Sequence, residues 1–362
     1  MIKSIYIHIP FCSHICSYCD FSKLYYYKEL VNEYLLALEK ELNNIPISHS
    51  YKTIYIGGGT PSSLSIDELE KLLVLLDRFQ LEDDYEFTIE CNIENITEEK
   101  LQLMKKHRIN RISIGVESFN QRKLDYLERN YKATSIKSVI QLVKKYFSNI
   151  NVDLIYAVEN ETISELEEDI KSLLDLNVNH ISTYSLIIEP NTKLANKKTQ
   201  YISEDLDRKM YDVICKRLED DGYHHYEISN FSKPGFESKH NMTYWRNEEY
   251  YGIGLGASGY VDNIRYTNTK SIQKYLSNTT HYIEEYQTEQ LKLENEIILN
   301  FRTDDGINKK EFYKKYHFDL KERYDITDLI KNGIIIESED KYVVSKKYWY
   351  LLNEILLRFI EE

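Results

Sequence analysis

The fold of this chain is decided by residues 4–19, which read SIYIHIPFCSHICSYC. Within this stretch Cys12, Cys16 and Cys19 follow an apolar run with the spacing C-x3-C-x2-C. Three thiolates on one tight loop can hold three corners of a cubane iron–sulfur cluster and leave the fourth iron open. Because an open iron can bind a small molecule, the spacing predicts a chemically active site rather than a purely structural one.

Two other uses of these thiols compete with a cluster. Structural zinc would need a fourth ligand, which His8 or His14 could supply, but zinc usually pairs a C-x2-C with a second, distant pair that this sequence lacks. Disulfides are disfavoured because the five cysteines are odd in number and no secretion signal begins the chain. Cys91 and Cys215 are isolated in the sequence. The cluster is therefore the favoured interpretation.

Composition limits the class of protein. The 362 residues suit two domains, or one large barrel with an appendage. No apolar run approaches the ~20 residues of a membrane span. Nucleic-acid binders usually carry a basic face, whereas this chain has a net charge of −13. We therefore expect a soluble protein of the cytoplasm, a reducing compartment, that does not bind nucleic acid.

Short β-type runs alternate with helical patterns through the first half of the chain. This alternation predicts parallel βαβ units, hence an α/β sheet or barrel whose working face is at the carboxyl ends of the strands. Ser65 and Thr97 look like the hydroxyl caps of two of the helices. The predicted strands are Ser4–Ile9, Thr53–Ile56, Glu86–Glu90, Arg111–Gly115, Asn151–Ile155 and His180–Leu186.

The pattern changes near residue 205, so we predict a core of residues 1–205 and a C-terminal region of residues 206–362. Helix-forming residues 205–221 lead to a strand over 223–229. Residues 287–362 read as three helices, two short strands and a helix, which resembles a winged-helix unit. That unit holds 13 Lys and Arg against 16 Asp and Glu, so we expect packing or partner docking rather than DNA binding. Its two predicted strands are Gly333–Glu337 and Tyr342–Ser345.

A glycine run, Gly57-Gly58-Gly59-Thr60-Pro61, follows the second predicted strand. Because glycine has no Cβ, the backbone of such a run can approach a ligand closely. No Gly-Lys-Ser/Thr follows, so the run is not a P-loop. By itself it is equally consistent with an ordinary strand-to-helix turn. Its position on the same face as the cysteine loop favours a binding role.

Charged residues also gather where predicted strands end. Glu90 and Glu117 follow the third and fourth strands, Asp153 lies in the fifth, and Arg129 comes soon after Glu117. Carboxylates can accept hydrogen bonds from ribose hydroxyls and an ammonium group, while an arginine can pair a carboxylate. Taken singly, each residue is more often a solvated or structural charge. Taken together, they predict a pocket for a zwitterionic nucleoside.

These motifs resemble the radical S-adenosylmethionine (SAM) superfamily over nearly the whole chain. The loop from Tyr6 to Phe21 is similar to the branch that holds oxygen-independent coproporphyrinogen III dehydrogenases and the HemW haem chaperones. The resemblance implies an α/β fold with a partial (β/α)6 barrel, a [4Fe-4S] cluster on Cys12, Cys16 and Cys19, and SAM on the open iron. The SAM contacts that it implies are Tyr6, Tyr18, Gly58, Gly59, Thr60, Glu90, Glu117, Arg129 and Asp153.

Several features separate the two branches. Dehydrogenases resemble C-x3-C-x2-C-x-C and carry a long N-terminal extension, whereas Phe21 stands at the fourth cysteine position here and only a few residues precede the first strand. Residues 240–246, HNMTYWR, resemble the H-N-x-x-Y-W motif of HemW, whose histidine is implicated in haem binding. A loop histidine alone would more often bond to backbone. The implied haem residues are His240, Asn241, Tyr244 and Trp245.

Some positions depart from the family pattern. Glu117 stands where relatives more often have Gln, and Ala157-Val158-Glu159 replaces Gly-Leu-Pro. Ser258 stands where many relatives have His, so His224 and His225 become candidates for a second haem ligand.

The resemblance implies a haem chaperone that transfers haem to acceptor haemoproteins, membrane respiratory enzymes among them. The cluster and SAM would then serve assembly, dimerisation or haem release, and no catalytic residue is assigned. The alternative is a radical SAM oxidoreductase acting on coproporphyrinogen III or a related tetrapyrrole. A nucleic-acid-modifying radical SAM enzyme would want a basic appendage, which the acidic C-terminal region does not provide.

Overall fold

The structure, a computed structural model, describes residues 1–197, 199–278 and 281–360. Its strands are β1 (Ser4–Ile9), β2 (Phe11–Cys12), β3 (Leu24–Tyr25), β4 (Ser50–Gly58), β5 (Gln80–Asn92), β6 (Arg111–Glu117), β7 (Asn149–Tyr156), β8 (His180–Ser185), β9 (His224–Glu227), β10 (Asn230–Ser232), β11 (Tyr251–Ile253), β12 (Ser258–Val261), β13 (Ile264–Asn268), β14 (His281–Tyr286), β15 (Ile307–Asn308), β16 (Ile335–Glu337) and β17 (Lys341–Val344). Its α-helices are α1 (Lys28–Leu42), α2 (Ile66–Leu76), α3 (Glu98–Lys106), α4 (Gln121–Tyr126), α5 (Ile136–Lys144), α6 (Ile163–Asp175), α7 (Lys193–Asn196), α8 (Glu204–Asp220), α9 (Lys239–Trp245), α10 (Ile272–Leu276), α11 (Glu289–Asn300), α12 (Lys309–Tyr316), α13 (Leu320–Arg323), α14 (Thr327–Lys331) and α15 (Leu352–Leu356).

A nine-stranded sheet forms the main body, in the order β11-β1-β4-β5-β6-β7-β8-β10-β9. Its neighbours from β11 to β8 are parallel, while β10 and β9 add antiparallel strands at the far edge. All six predicted strands are present, and the mostly parallel α/β architecture is confirmed. The carboxyl ends of the parallel strands therefore lie along one rim, as the alternation of strands and helices predicts.

Helix caps form where hydroxyl residues precede the helices. The Ser65 side chain accepts from the Glu68 amide while the Glu68 carboxylate accepts from the Ser65 amide, which is a complete capping box for α2. Thr97 accepts from the Lys100 amide at the start of α3. Each cap satisfies a backbone donor that the first helical turn leaves without a partner.

The two faces of the sheet differ in polarity. One face is apolar and packs under the helices; Ile5, Ile7 and Ile54 on it are fully buried. The inner face carries polar side chains that bond to one another, such as Asn151 Oδ1 and the His180 Nδ1 at 2.6 Å. Buried polar groups need such partners, because an unsatisfied one costs several kcal/mol, on the order of 1–3. The inner face of the sheet therefore carries a network of hydrogen-bonded polar side chains.

The last part of the described chain has a hydrophobic cluster of its own, which includes Ile297, Phe301, Ile335 and Trp349. Helices α11 to α15 surround a small antiparallel sheet of order β15-β17-β16, an arrangement that resembles the expected winged-helix unit. The sequence pattern did not reveal β15, since two residues are too short to show a period.

The predicted boundary at residue 205 stays a prediction. Strands β9, β10 and β11 follow that boundary and still belong to the main sheet. Residues 361–362, which close the predicted C-terminal region, lie outside the described residues. Within residues 1–197, 199–278 and 281–360, no helix is both long enough and apolar enough to span a membrane.

Candidate functional site

A cavity of about 390 Å³ opens at the carboxyl ends of the parallel strands. The loops after β1 and β4 and the ends of β5 to β8 contribute its walls. Three groups of residues meet there: the thiols, the acidic groups with one arginine, and an apolar rim. The predicted residues that line it are Cys12, Cys16, Tyr18, Cys19, Gly58, Gly59, Thr60, Glu90, Glu117, Arg129 and Asp153.

All three cysteines of the loop face this cavity. Thr60 Oγ1 donates to Cys12 Sγ at 3.5 Å, and Arg129 Nη1 donates to Cys16 Sγ at 3.2 Å. Burial raises the pKa of the Cys12 thiol to about 12 and also raises the pKa of Cys19. The hydrogen bond from Thr60 only partly opposes this effect of burial at Cys12. Metals bind the thiolate form, so a bound metal would have to displace the proton.

The donor set fits a cluster better than a single zinc ion. Of the two histidines that could complete a zinc site, His8 has no free ring nitrogen, because Nδ1 bonds to the Tyr6 hydroxyl at 3.0 Å and Nε2 to the Ser22 carbonyl at 2.7 Å. His14 lines the cavity with the cysteines. Among the residues that the structure describes, no three His, Cys, Asp or Glu side chains are arranged around a single ion. A cubane cluster distributes its thiolates over different irons, so three separate thiols on one cavity wall suit it.

Five acidic residues line the cavity together with one arginine, and three of them, Glu90, Glu117 and Asp153, lie at the strand ends. Burial raises the pKa of Glu90 and of Glu117 to about 7, and burial also raises the pKa of Asp153. Arg129 lies 3.7 Å from Glu117, measured from Nη1 to Oε1. The acidic residues outnumber the guanidinium of Arg129, and the buried Arg111 also acts electrostatically on Glu90 and Asp153. The cavity therefore favours a ligand that carries positive charge.

Two predicted tyrosine contacts lie in different places. The Tyr18 hydroxyl donates to Glu117 Oε1 at 3.0 Å and lines the cavity. Tyr6 does not line it. Its ring lies 6.2 Å from Tyr55 and 6.5 Å from His240, on the inner face of the sheet below the cavity.

The glycines of the 57–59 run are required by packing as well as by the cavity. Gly58 has a φ of 113°, in the left-handed region, and a Cβ there would lie 2.5 Å from the His8 ring. A Cβ on Gly59 would lie 2.6 Å from the Pro10 carbonyl carbon. The tight-turn interpretation and the binding interpretation are therefore both consistent with this run.

Several cavity residues escaped the sequence prediction. Asn92 accepts from Arg129 Nη2 at 3.0 Å and donates to Thr60 Oγ1 at 3.1 Å. The sequence could have indicated Asn92, because it lies two residues after Glu90 and therefore on the same face of β5. Others include Ser113, Ile155, Tyr184, Leu186 and the acidic residues Asp20 and Glu189. Ile187 and Phe21 are exposed apolar residues at the rim.

The predicted haem residues lie elsewhere, on α9 at the amino ends of the strands. His240 is fully buried there, and both ring nitrogens are bonded: Nδ1 to Thr53 Oγ1 and Nε2 to the Tyr244 hydroxyl, each at 2.7 Å. Burial lowers the pKa of His240 to about 3, so the imidazole is neutral. The indole Nε1 of Trp245 is buried with no hydrogen-bond partner among the described residues.

Neither of the two candidates for a second haem ligand, His224 and His225, contacts His240. His224 pairs with Asp304, and His225 stacks on Phe231 with a centroid distance of 4.1 Å. Neither ring is among the contacts of His240.

Known proteins resemble this chain over its length. The model of the Radical SAM superfamily matches residues 6–173. The heme chaperone HemW of Lactococcus lactis subsp. lactis (strain IL1403) is 38% identical, with 99% of this chain and 97% of that protein aligned. The heme chaperone HemW of Bacillus subtilis (strain 168) is 37% identical over 100% of both chains. That of Escherichia coli (strain K12) is 31% identical over 99% of this chain and 98% of its own.

A solved structure shows the same fold. Coproporphyrinogen III oxidase (HemN) from Escherichia coli, a radical SAM enzyme, superposes with a TM-score of 0.86 at 21% identity, covering 99% of this chain and 90% of that one. Identity this low establishes the fold alone. The relatives above 30% identity are aligned from end to end, and on that ground the chain belongs to the HemW family of the radical SAM superfamily.

Proposed function

We propose that this protein is a haem chaperone that binds haem and transfers it to acceptor haemoproteins. The observation that carries the proposal is the 38% identity to a heme chaperone over 99% of this chain. Phe21 at the fourth cysteine position is consistent with it. Acceptors of this kind include membrane respiratory enzymes, and we place the protein in the cytoplasm, where thiols stay reduced. The family also suggests a homodimer.

Cys12, Cys16 and Cys19 would hold a [4Fe-4S] cluster. Their arrangement on one cavity wall, with Thr60 and Arg129 aimed at two of the sulfurs, supports this assignment. When bound, the cluster supplies an open iron that can take a small ligand. Arg129 would place a positive charge 3.2 Å from the Cys16 sulfur, where it can donate to the sulfur of a bound cluster.

SAM would occupy the rest of the cavity. Its sulfonium and ammonium groups are cationic, and the acidic residues that line the cavity outnumber its one arginine. The backbone amide of Gly58 already donates to Glu90 Oε2 at 3.0 Å, which fixes that carboxylate against the cavity wall. The contacts proposed for SAM are Tyr18, Gly58, Gly59, Thr60, Glu90, Glu117, Arg129 and Asp153. Tyr6 does not line the cavity and is not among them.

Haem would bind at His240 after α9 has moved. Coordination to iron needs a free nitrogen of a neutral imidazole, and both nitrogens of His240 are now bonded. Breaking two neutral hydrogen bonds costs roughly 2 kcal/mol at about 1 kcal/mol each, an expense that an iron–nitrogen bond can offset. The partnerless indole of Trp245 and the nearby Tyr244 and Asn241 would complete the haem site.

We propose that the two predicted regions have different binding functions. Residues 1–205 would carry the cluster and SAM, and residues 206–362 would carry the haem motif. The winged-helix-like part from residue 287 has a separate hydrophobic cluster and an acidic balance, so it would dock against protein rather than nucleic acid.

An anaerobic haemin titration, followed by the Soret band, tests the proposal on the reconstituted wild type and on His240→Ala. We expect saturation near one haem per chain that weakens sharply in the variant. The matched control is His317→Asn, because His317 is exposed and has a φ of 63°, which asparagine also tolerates. Equal binding by wild type and His240→Ala would remove His240 from the haem site.

The cluster and haem can be separated in the same assay. Cys16→Ala should lose the brown cluster chromophore and keep some haem binding. Turnover of SAM should be slow. Rapid release of deoxyadenosine with coproporphyrinogen III, together with no haem binding by the wild type, would favour the tetrapyrrole oxidoreductase instead.

A further inference from the structure

One side chain touches both the cavity wall and the haem motif. The Tyr55 hydroxyl donates to Glu90 Oε1 at 2.8 Å, while the Tyr55 ring stacks on His240 with a centroid distance of 5.0 Å and an interplanar angle of 24°. We propose that Tyr55 is a positioning residue that couples the two sites: a cationic ligand bound at Glu90 holds α9 in place and opposes haem binding at His240. The haem half of this inference rests on the proposed function.

The upper end of the connection is a cavity residue. Glu90 lines the cavity, and its second oxygen, Oε2, accepts from the Gly58 amide at 3.0 Å. The carboxylate is therefore held from two sides, by a backbone group and by Tyr55. Because the Tyr55 hydroxyl donates to this carboxylate, a cationic ligand that changes the position or the charge of Glu90 also changes the strength of that hydrogen bond.

The lower end is a buried cluster of rings. His240 is held by the Thr53 hydroxyl and the Tyr244 hydroxyl, and its face is covered by Tyr55. Haem cannot reach an iron-binding nitrogen of His240 while these contacts persist. Any contact that holds Tyr55 in place therefore also stabilises the closed position of His240.

α9 is the element that would have to move for haem to reach His240. It has seven residues, and its amino end is held mainly by one buried carboxylate, Glu86, which accepts from the backbone amides of Lys239 and His240 at 3.0 and 3.1 Å. Its side chains contact the sheet through hydrogen bonds, such as Ser4 with Thr243 at 2.9 Å, and through the stacked rings of Tyr55 and His240. A helix this short derives its stability from such contacts rather than from its own propensity.

The chemistry of Glu90 sets the direction of the coupling. A hydrogen bond to an ionised carboxylate is roughly twice as strong as one to a neutral acceptor. A cationic ligand favours the ionised form of Glu90, so it strengthens the bond from Tyr55 and the closed position of α9. By linkage, haem bound at His240 must weaken the affinity for that ligand by the same factor.

Tyr6 offers a comparison within the same cluster. Its ring lies 6.5 Å from His240, but its hydroxyl bonds to His8 Nδ1 rather than to a cavity carboxylate. Tyr6→Phe therefore removes a hydroxyl beside His240 and leaves the connection to Glu90 intact. It is the matched control for Tyr55→Phe, which keeps the stacked ring and removes only the bond to Glu90.

The first measurement needs no haem. Hydrogen–deuterium exchange of the peptide that covers residues 239–246 is followed in the cluster-reconstituted protein, with and without saturating SAM. We expect SAM to slow exchange of these amides in the wild type and in Tyr6→Phe, and to leave it unchanged in Tyr55→Phe. SAM binding to each protein is checked separately by equilibrium dialysis. Unchanged exchange in the wild type, or equal slowing in Tyr55→Phe, overturns the inference.

The second measurement is a haemin titration with and without saturating SAM. Coupling energies are typically about 1–3 kcal/mol, so SAM should weaken haem binding roughly 5- to 150-fold in the wild type and little in Tyr55→Phe. Equal haem affinity with and without SAM overturns the inference while leaving the proposed function standing. If the wild type binds no haem at all, the proposed function fails, whereas the exchange experiment still decides whether Tyr55 couples the cavity to α9.

Discussion

The Arg129 guanidinium lies 3.2 Å from the Cys16 sulfur and 3.7 Å from Glu117, so one buried cation serves both the cysteine loop and the acidic side of the cavity. It also donates to the Gly115 carbonyl at 2.7 Å and to Asn92 at 3.0 Å. Arg129 therefore connects the cysteine loop to the ends of β5 and β6, beside the hydrogen bond from Tyr18 to Glu117.

Arg129→Leu should lose both functions of this side chain. Removing one partner of a buried ion pair costs about 3–5 kcal/mol, and the Cys16 thiolate loses its neighbouring cation. We expect lower iron and sulfide content after anaerobic reconstitution and a lower free energy of unfolding from urea denaturation. Arg122→Leu is the control, because Arg122 forms an exposed pair with Glu165 and should change stability by less than about 1 kcal/mol. Full iron content in Arg129→Leu would contradict this role.

The cavity carboxyls should make the cluster-free protein less stable as pH rises. The pKa of Glu90 is about 7 in the folded protein, against an ordinary value of 4.5, so the folded state binds this proton more tightly than the unfolded state does. The resulting stabilisation is fully present below about pH 4.5 and is lost as pH rises through about 7. Urea unfolding between pH 5 and 8 should show a decline of about 1–3 kcal/mol. The decline should be shallower in Glu90→Gln, and an equal slope would show that Glu90 does not titrate in this range.

Lys123 should be essential for folding although it is remote from the haem motif. It is fully buried and forms ion pairs with Glu161 and with Asp169, the latter at 2.9 Å. Lys123→Met leaves two buried carboxyls without a cation and should cost about 3–5 kcal/mol. Lys216→Met, at an exposed i,i+4 pair, should change the unfolding free energy by less than about 0.5 kcal/mol. If Lys123→Met is as stable as the wild type, the carboxyls must be protonated when the lysine is absent.

Ala157→Gly should stabilise the protein. Ala157 is buried with a φ of 61°, in the left-handed region, where a Cβ costs about 1–2 kcal/mol. Glycine removes that strain but is more flexible in the unfolded chain, so the net gain should be about 1 kcal/mol. Ala37→Gly in the middle of α1 should have the opposite sign, because glycine is unfavourable in a helix interior by about 1 kcal/mol. Thermal unfolding of both variants gives the comparison, and a loss in Ala157→Gly would mean that the loop has relaxed.

Much of the site could be predicted because its residues follow strands. Glu90 lies on β5 and Asp153 lies on β7, the two strands that flank β6. Parallel strands bring their carboxyl ends to one rim of the sheet, whatever the conformation of the intervening loops. Residues of the cysteine loop come together for a simpler reason, since eight successive positions span all three thiols. Asn92 could have been found because it lies two residues after Glu90 and therefore on the same face of β5.

Other features depended on contacts between distant parts of the chain. Nothing near residue 240 indicates that His240 would bond to Thr53, 187 positions earlier. The sequence pattern likewise did not predict that Tyr6 would lie below the cavity rather than in its wall, or that Ile187 would reach its rim.

Local features could be inferred from the residues alone: the alternation of strands and helices, the cysteine spacing and the helix caps all follow from chemistry and periodicity within a few residues of each position. The family came instead from the resemblance of motifs along the chain. The positions of α9 at the amino end of the sheet and of Tyr55 between Glu90 and His240 depend on the three-dimensional fold. Such contacts form because buried polar groups must find partners wherever the fold brings them, and sequence separation does not limit that choice.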